Sequence, residues 1–334
     1  MAVSSRRAIG AAVLAALAGW MAPASAQTTH YRFGYEQPAT TGFGIVADVF
    51  AATLAKASHG TMVIDQFPNS QLGGEPQLLQ LVRNGDVDFI VVSTANSATL
   101  SPESGVLSLH YLFRNEAQLQ HAVADPAVVH AVRQMFEDTV QGAHVLALAT
   151  LGLRHVYGNR EIHRVEDLKG LKMRVQATAT EDTLWAAYGA QTVHMPFGSV
   201  YTSLQTGVVQ LAENGLNVYD ENKHYEVAPI VSLTNHEANN SVLWVSDKVW
   251  RSLSEEQKGW VQQAADEVGR TEPARAIELE HKSLAKLRKV GVKVIDNVDT
   301  SGFIKIAMPI EDQIAAKLGP HAVEILRLCR AVPE

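Results

Sequence analysis

Asp-Leu-Lys-Gly-Leu-Lys-Met-Arg-Val at Asp167–Val175 is followed by Met-Pro-Phe-Gly-Ser-Val-Tyr-Thr-Ser-Leu-Gln-Thr-Gly-Val-Val at Met195–Val209 and by Ala-Glu-Asn at Ala212–Asn214. In the first segment Leu171, Met173 and Val175 alternate with Lys172 and Arg174, the period-two pattern of a short strand with one apolar face. Thr178 followed by Glu181 is a capping-box pattern that starts a helix, and Gly189 stops it. Arg174 therefore stands where a strand gives way to a helix, at the crevice in which open α/β sheets bind ligands. Its planar fork of donors suits a carboxylate. The spacing alone equally allows a surface arginine paired with a neighbouring acid.

Upstream, the pattern predicts a strand at Tyr31–Tyr35, a helix from Gly42 to Ser58 and a strand at Met62–Phe67. Glu75-Pro76 starts a helix that ends near Gly85, because proline suits a first helical position. A buried strand follows at Asp88–Val92. Strand, helix, strand, helix, strand is the grammar of a parallel sheet with right-handed crossovers. His110–Phe113 and Glu116–Val140 read as a loop and helices, and Val145–Thr150 as a strand leaving the first domain. A second sheet is expected from Arg154 to about Ser232, with one strand at Val208–Ala212. Further on come a strand at Val242–Val245 and a helix capped by Ser254 and Gln257, which Pro273 should kink or divide. A strand near Val292–Ile295 and terminal helices complete the chain. No internal repeat, charge block or glycine-serine linker interrupts it.

The chain has 334 residues, 46% apolar and 19% charged, enough for two cores. Arg6 and Arg7 precede an apolar run from Ala8 to Trp20, and Ala24-Ser25-Ala26 has the pattern of a signal-peptidase site. Residues 1–26 are thus expected to be a leader, cut before Gln27, and the run is too short to span a bilayer. Ser5-Arg6-Arg7 weakly resembles a twin-arginine signal, but the rest of that pattern is missing and the general secretory route is favoured. The leader takes two of the 28 basic residues and none of the 35 acidic ones, leaving a formal charge of −9. Nucleic acid and anionic membrane are poor partners for such a surface. Cys329 has no disulfide partner in the chain, so stability rests on the cores.

The quoted segments closely resemble the solute-binding proteins of tripartite ATP-independent periplasmic (TRAP) transporters, the DctP-type family, in order and near spacing over nearly all of the chain after the leader. The resemblance implies a type II-like periplasmic-binding-protein fold, with a cleft between two α/β domains and a long helix, here Glu255 to Arg288, touching both. By the same resemblance domain I combines 27–149 with 238–279, and domain II combines 150–237 with 280–334. It implies a periplasmic protein that holds a small-molecule carboxylate and hands it to a small and a large membrane subunit; the residues themselves suggest neither cofactor nor metal, since there is no glycine-rich phosphate loop and the thirteen histidines are scattered singly.

Carried over by position, Arg174 resembles the family's central carboxylate ligand, Arg154 in Leu-Gly-Leu-Arg-His-Val a second arginine, and Asn214 the amide beside the same carboxylate. Phe197 resembles the aromatic that packs on the ligand, and Glu36, Glu75 and Ser93 fall where polar groups face its far end. The plainer alternatives are that Arg154 pairs with Glu161 or Asp182, that Phe197 is core and that Glu75 merely favours a helix start. A carboxylate only accepts, so Glu36 and Glu75 in a cleft would repel a dicarboxylate such as succinate and welcome hydroxyls or an amine. The expected ligand is a sugar acid, an aldonate or hexuronate. Smaller hydroxy or oxo acids remain open, as do aromatic acids, given Trp185, Tyr188 and Tyr219. Enzymatic motifs are weak: Ser283 and Lys286 share a serine-lysine spacing without its companions, and His236-Glu237 meets Asn240, not histidine, four residues after His236. A sensor presenting its closed form to a receptor, and an exported enzyme, are the rival readings.

Overall fold

The structure, a computed structural model, describes residues 28–333. The expected leader lies outside the described residues. Among those described, no helix is long and apolar enough to cross a membrane.

In chain order, β1 (Thr29–Gly34), α1 (Gly42–Ala57), β2 (Met62–Phe67), α2 (Glu75–Asn84) and β3 (Phe89–Ser93) form the opening β-α-β-α-β unit. Next come α3 (Thr94–Ser97), α4 (Glu116–Ala124), α5 (Pro126–Thr139) and the long β4 (Ala143–Gly158). They are followed by β5 (Lys172–Val175), α6 (Ala179–Ala187), β6 (Gln191–His194), α7 (Val200–Gln205), β7 (Leu211–Asn214) and α8 (Leu216–Glu221). The chain returns along β8 (Ile230–Ser246) and closes with α9 (Asp247–Ser252), α10 (Glu255–Lys289), β9 (Lys293–Ile295), α11 (Ser301–Leu318) and α12 (Pro320–Ala331).

The strands lie in the order β2-β1-β3-β8-β4-β7-β5-β6, with β9 on β8. β1 pairs in parallel with β2 and β3, and β5 with β6 and β7, whereas β8 runs antiparallel to β3 and β4. The two separate sheets expected from the sequence are therefore joined into one path. Val145–Thr150 and the segment from Arg154 belong to a single 16-residue strand, which at roughly 3.3 Å per residue spans both lobes. The reason is local: at Thr150–Leu153 the ladder bulges, and Gly152 takes a φ of +90°. A Cβ there would meet the Glu280 side chain at 2.7 Å, so only glycine lets the strand turn without breaking.

α10 packs on α1, β4, α4 and α8, so one helix touches both lobes. Its start is the expected one, Ser254 accepting from Gln257 N–H and the Gln257 side chain returning to Ser254 N–H. Pro273 does not divide it: the helix continues to Lys289, with Pro273 buried. Two buried carboxylates hold α10 in register. Glu280 accepts from Leu216 and Asn217 N–H at the start of α8 (2.6 and 2.7 Å), and Glu272 accepts from Thr150 N–H on β4 (3.2 Å). Burial pushes both up to about 8.

One core clusters Phe33, Phe50 and Phe89 with Val261 and Val268 of α10, and another clusters Tyr157, Val200, Tyr219 and Leu287. A third and larger one includes Trp185, Trp244 and Phe303, and α12 packs on α5. Burying each large apolar side chain stabilises by about 1.5–3 kcal/mol.

Candidate functional site

The carboxyl ends of β1 and β3 face those of β5 and β7, and all seven sequence-predicted residues, Glu36, Glu75, Ser93, Arg154, Arg174, Phe197 and Asn214, line one cavity between them. The space left is ≈ 20 Å³, about one water's worth, so the lobes are shut on each other. Among the contacts that join them beside the cavity, Gln176 Nε2 donates to Ser93 Oγ (3.2 Å), Asn222 Nδ2 to Gln37 Oε1 (2.9 Å), and Thr40 Oγ1 to Glu221. Larger hollows of ≈ 530 and ≈ 620 Å³ lie elsewhere, but none of the seven residues lines them.

Register explains the arginines. β4 is sandwiched between β8 and β7, so Arg154 stands opposite Glu237 on one side while its neighbour Val156 stands opposite Glu213 on the other. Arg154 donates from Nε and Nη2 to the two Glu213 carboxylate oxygens and from Nη1 to Asn239 Oδ1 (2.7 Å), with Glu237 Oε2 3.3 Å from Nε. Burial opposes its charge, but Glu213 and Glu237 more than reverse that and raise its pKa. Burial likewise opposes the Glu213 charge and Arg154 overrides it, so Glu213 stays below the usual carboxylate range. Arg154 therefore pairs with neither Glu161 nor Asp182. It is a pillar under the cavity floor, and its paired fork is already filled.

Arg174, on β5 next to β7, is held differently. Its Nε and Nη2 donate to Met195 carbonyl oxygen (3.2 and 3.1 Å), and the nearest carboxylate oxygen, of Glu213, lies 3.8 Å from Nη1. The Nη1–Nη2 edge is thus left with two parallel N–H groups and no hydrogen-bond acceptor among the described residues, and Arg174 is only 3% exposed. Asn214 uses its Oδ1 on Gly215 N–H and Asn239 Nδ2 (2.9 and 3.0 Å), which leaves its NH2 group unspent. Phe197 is half-buried, packs against two cores and stacks on His224 at 5.2 Å. Burial, then Arg174, lowers His224 to about 4, so it adds no cation near neutral pH.

Across the cavity, one oxygen of Glu75 accepts from Ser93 N–H (3.0 Å), Ser93 Oγ (2.5 Å) and Asn96 Nδ2 (2.7 Å). The Ser93 hydroxyl is fully engaged, since it also accepts from Asn96 N–H and Gln176, so it fixes Glu75 and the lobe contact. Glu36 accepts from Glu75 N–H, and burial, then the Glu75 charge, push it up to about 8 against the pull of Arg174. These surroundings favour the protonated form of Glu36, which donates as well as accepts, whereas residue type alone suggests an acceptor. Trp185, Tyr188 and Tyr219 are core and do not line the cavity. Gln37, Asn96, Gln176 and Asn239 also line it; isolated amides in a loop, a strand or a one-turn helix such as α3 carry no periodic signal in the sequence.

A family model described as bacterial extracellular solute-binding protein, family 7 (DctP), matches residues 33–318. The 2,3-diketo-L-gulonate-binding periplasmic protein YiaO of Escherichia coli is 30% identical over 273 residues, 81% of this chain and 82% of that protein. A TRAP periplasmic solute-binding protein of Xanthobacter autotrophicus, solved with β-D-galacturonate, superposes with a TM-score of 0.84 at 30% identity, covering 91% of this chain and 100% of the other. The sugar acid binding protein DctPAm of Advenella mimigardefordensis, solved with galactonate, gives 0.85 at 28% identity, covering 92% and 99%.

Proposed function

Because the chain belongs to family 7 of the bacterial extracellular solute-binding proteins, the DctP family of TRAP transporters, we propose that it captures a sugar acid, an aldonate or hexuronate, between its lobes. Arg174 takes the carboxylate through its Nη1–Nη2 edge, the Asn214 amide completes the shell, and Phe197 packs on the ligand. Arg154 supports this pair from beneath through Glu213. The observation that carries the reading is the buried Arg174 fork, anchored on one side by Met195 and unspent on the other. At the far end Glu75 offers an acceptor and Glu36 a proton, which suits hydroxyl and oxo groups. A second carboxylate would meet Glu75. The relatives support the choice, since diketogulonate, galacturonate and galactonate each combine one carboxyl with several hydroxyl or oxo groups.

In this reading the leader ends at Ala26, the mature protein works in the periplasm, and binding replaces catalysis. The first lobe comprises 27–149 with 238–279 and the second 150–237 with 280–334, although α12 packs on α5 of the first. Ligand contacts drive closure, since only differential contacts shift such an equilibrium. The closed form is then handed to small and large membrane subunits. Mass spectrometry of small molecules released from natively purified protein tests the reading: a mono-carboxylate sugar acid supports it, and a reproducible stoichiometric ligand lacking a carboxylate rejects it.

Glu36 makes capture depend on pH. Its pKa rises from 4.5 to about 8 in the closed form, and opening returns it to water and its ordinary value, so closure takes up a proton between those limits. The groups facing it are Glu75 and Arg174. Affinity is therefore greatest toward pH 4.5, falls by at most about tenfold per pH unit as pH rises toward 8, and is level above. Glu36→Gln flattens the profile; ligand titrations from pH 5 to 9 in both proteins read it, and an equal slope in the variant rejects Glu36 as its source.

A further inference from the structure

Beneath the carboxylate cavity lies a second cluster of polar groups, assembled from three parts of the chain. His110 follows the 3-10 turn at Pro102–Ser108, His236 and Glu237 lie on β8, and Glu181 lies on α6. All four are 3% exposed or less, and His110 Nε2, His236 Nε2, Glu237 Oε2 and Glu181 Oε1 are buried without a hydrogen bond, Glu237 Oε2 keeping the 3.3 Å ion-pair contact with Arg154 Nε and His236 Nε2 lying 3.7 Å from Glu213 Oε2. Orphaned polar atoms of this kind cost about 1–3 kcal/mol each when left so. The donor atoms of His110, His236 and Glu237 lie within 4.8 Å of one another, and Glu181 Oε1 is 3.6 Å from His110 Nε2. Each imidazole is oriented through its other nitrogen, His110 Nδ1 against Tyr188 hydroxyl (3.1 Å) and His236 Nδ1 against Thr234 Oγ1 (2.8 Å). That leaves the two Nε2 atoms turned toward the carboxylates, the arrangement that holds imidazole ligands to a metal.

The charges point the same way. Glu181, Glu213 and Glu237 gather around Arg154, three carboxyl groups to one guanidinium among the described residues of this sealed region. Arg174 approaches Glu213 only to 3.8 Å and turns its free edge to the cavity. Either protons on the carboxyl groups or one divalent cation can balance that crowding. We propose that His110, His236 and Glu237, with Glu181 as fourth donor, form a structural site for a divalent cation of the zinc class, pinning β8 to α6 and to the 102–110 segment. Two imidazoles and two carboxylates suit that class, and a closed set of four protein donors marks a structural site rather than a catalytic one. Binding draws the donors in toward 2.0–2.2 Å from the ion. The sequence concealed the site because only His236 and Glu237 are neighbours in the chain, and the fold alone brings His110 and Glu181 to them.

The test is refolding of the full chain from denaturant with Zn2+ or with Co2+, followed by exhaustive dialysis and elemental analysis. About one ion per chain retained by the wild type, visible absorption bands of low-symmetry Co2+, and loss of both in His110→Gln and in Glu237→Gln are expected. The melting temperature of the wild type, and not of the variants, rises with Zn2+. A wild type that keeps less than about a tenth of an equivalent and shows no Co2+ bands overturns the proposal and leaves the cluster balanced by protons. Uptake that persists unchanged in both variants overturns it equally. No arm depends on the organic acid, so the result is independent of the sugar-acid reading.

Discussion

Arg174→Ala lowers affinity for the acid ligand by about a hundredfold or more while the protein still folds. The closed cavity strips water from the ligand carboxylate, and removing its buried counter-charge costs roughly 3–5 kcal/mol. Little of that loss falls on the fold, because Arg174 spends its remaining donors on the Met195 carbonyl and comes no closer than 3.8 Å to Glu213. Arg174→Lys restores the charge but neither the fork nor the Met195 anchor, so its affinity stays about tenfold or more below wild type. Isothermal titration gives both affinities, and thermal melting shows that the variants are folded. Wild-type affinity in Arg174→Ala rejects the site.

Arg154→Ala behaves in the opposite way: the expected loss is about 3–5 kcal/mol of folding stability, because Glu213 is left buried with its charge uncompensated. Adding Glu213→Gln removes that charge and recovers part of the loss, with a coupling of about 1–3 kcal/mol across the cycle. Denaturant unfolding of the wild type, both single variants and the double variant measures it. If Arg154→Ala melts like wild type but loses affinity a hundredfold, Arg154 is a ligand donor and the pillar role fails. The two arginines, equivalent as residue types, are separated by what already occupies their forks.

That distinction was beyond the sequence. Arg154 and Arg174 could be named because they sit in recognisable segments, but Glu213 is 59 residues from Arg154 and meets it only because β7 pairs with β4. Signals that act within a turn were readable: Glu75-Pro76 opens α2, Ser254 and Gln257 cap α10, and Thr178 accepts from Glu181 N–H. Even there the Glu181 side chain departs from the capping pattern, accepting from Trp185 Nε1 at 2.6 Å instead, a choice set by tertiary burial. The expected strand at Val208–Ala212 starts three residues later and ends two later, at Leu211–Asn214, because pairing with β4 and β5 fixes its limits. Pro273 offers the same lesson, since its helix is held on both sides by packing and continues through a local breaker. The upward push on Glu36 was equally hidden, for it arises from burial and from Glu75 and not from residue type.

In the proposed function a buried, half-spent guanidinium between two lobes takes the carboxylate of a sugar acid. Calorimetric titration of the ligand-free mature protein with D-galacturonate, D-glucuronate, D-galactonate and succinate tests it most directly. The account predicts saturable one-to-one binding of at least one sugar acid, abolished in Arg174→Ala, and no heat with succinate. Saturable binding of succinate with none of any sugar acid would contradict it.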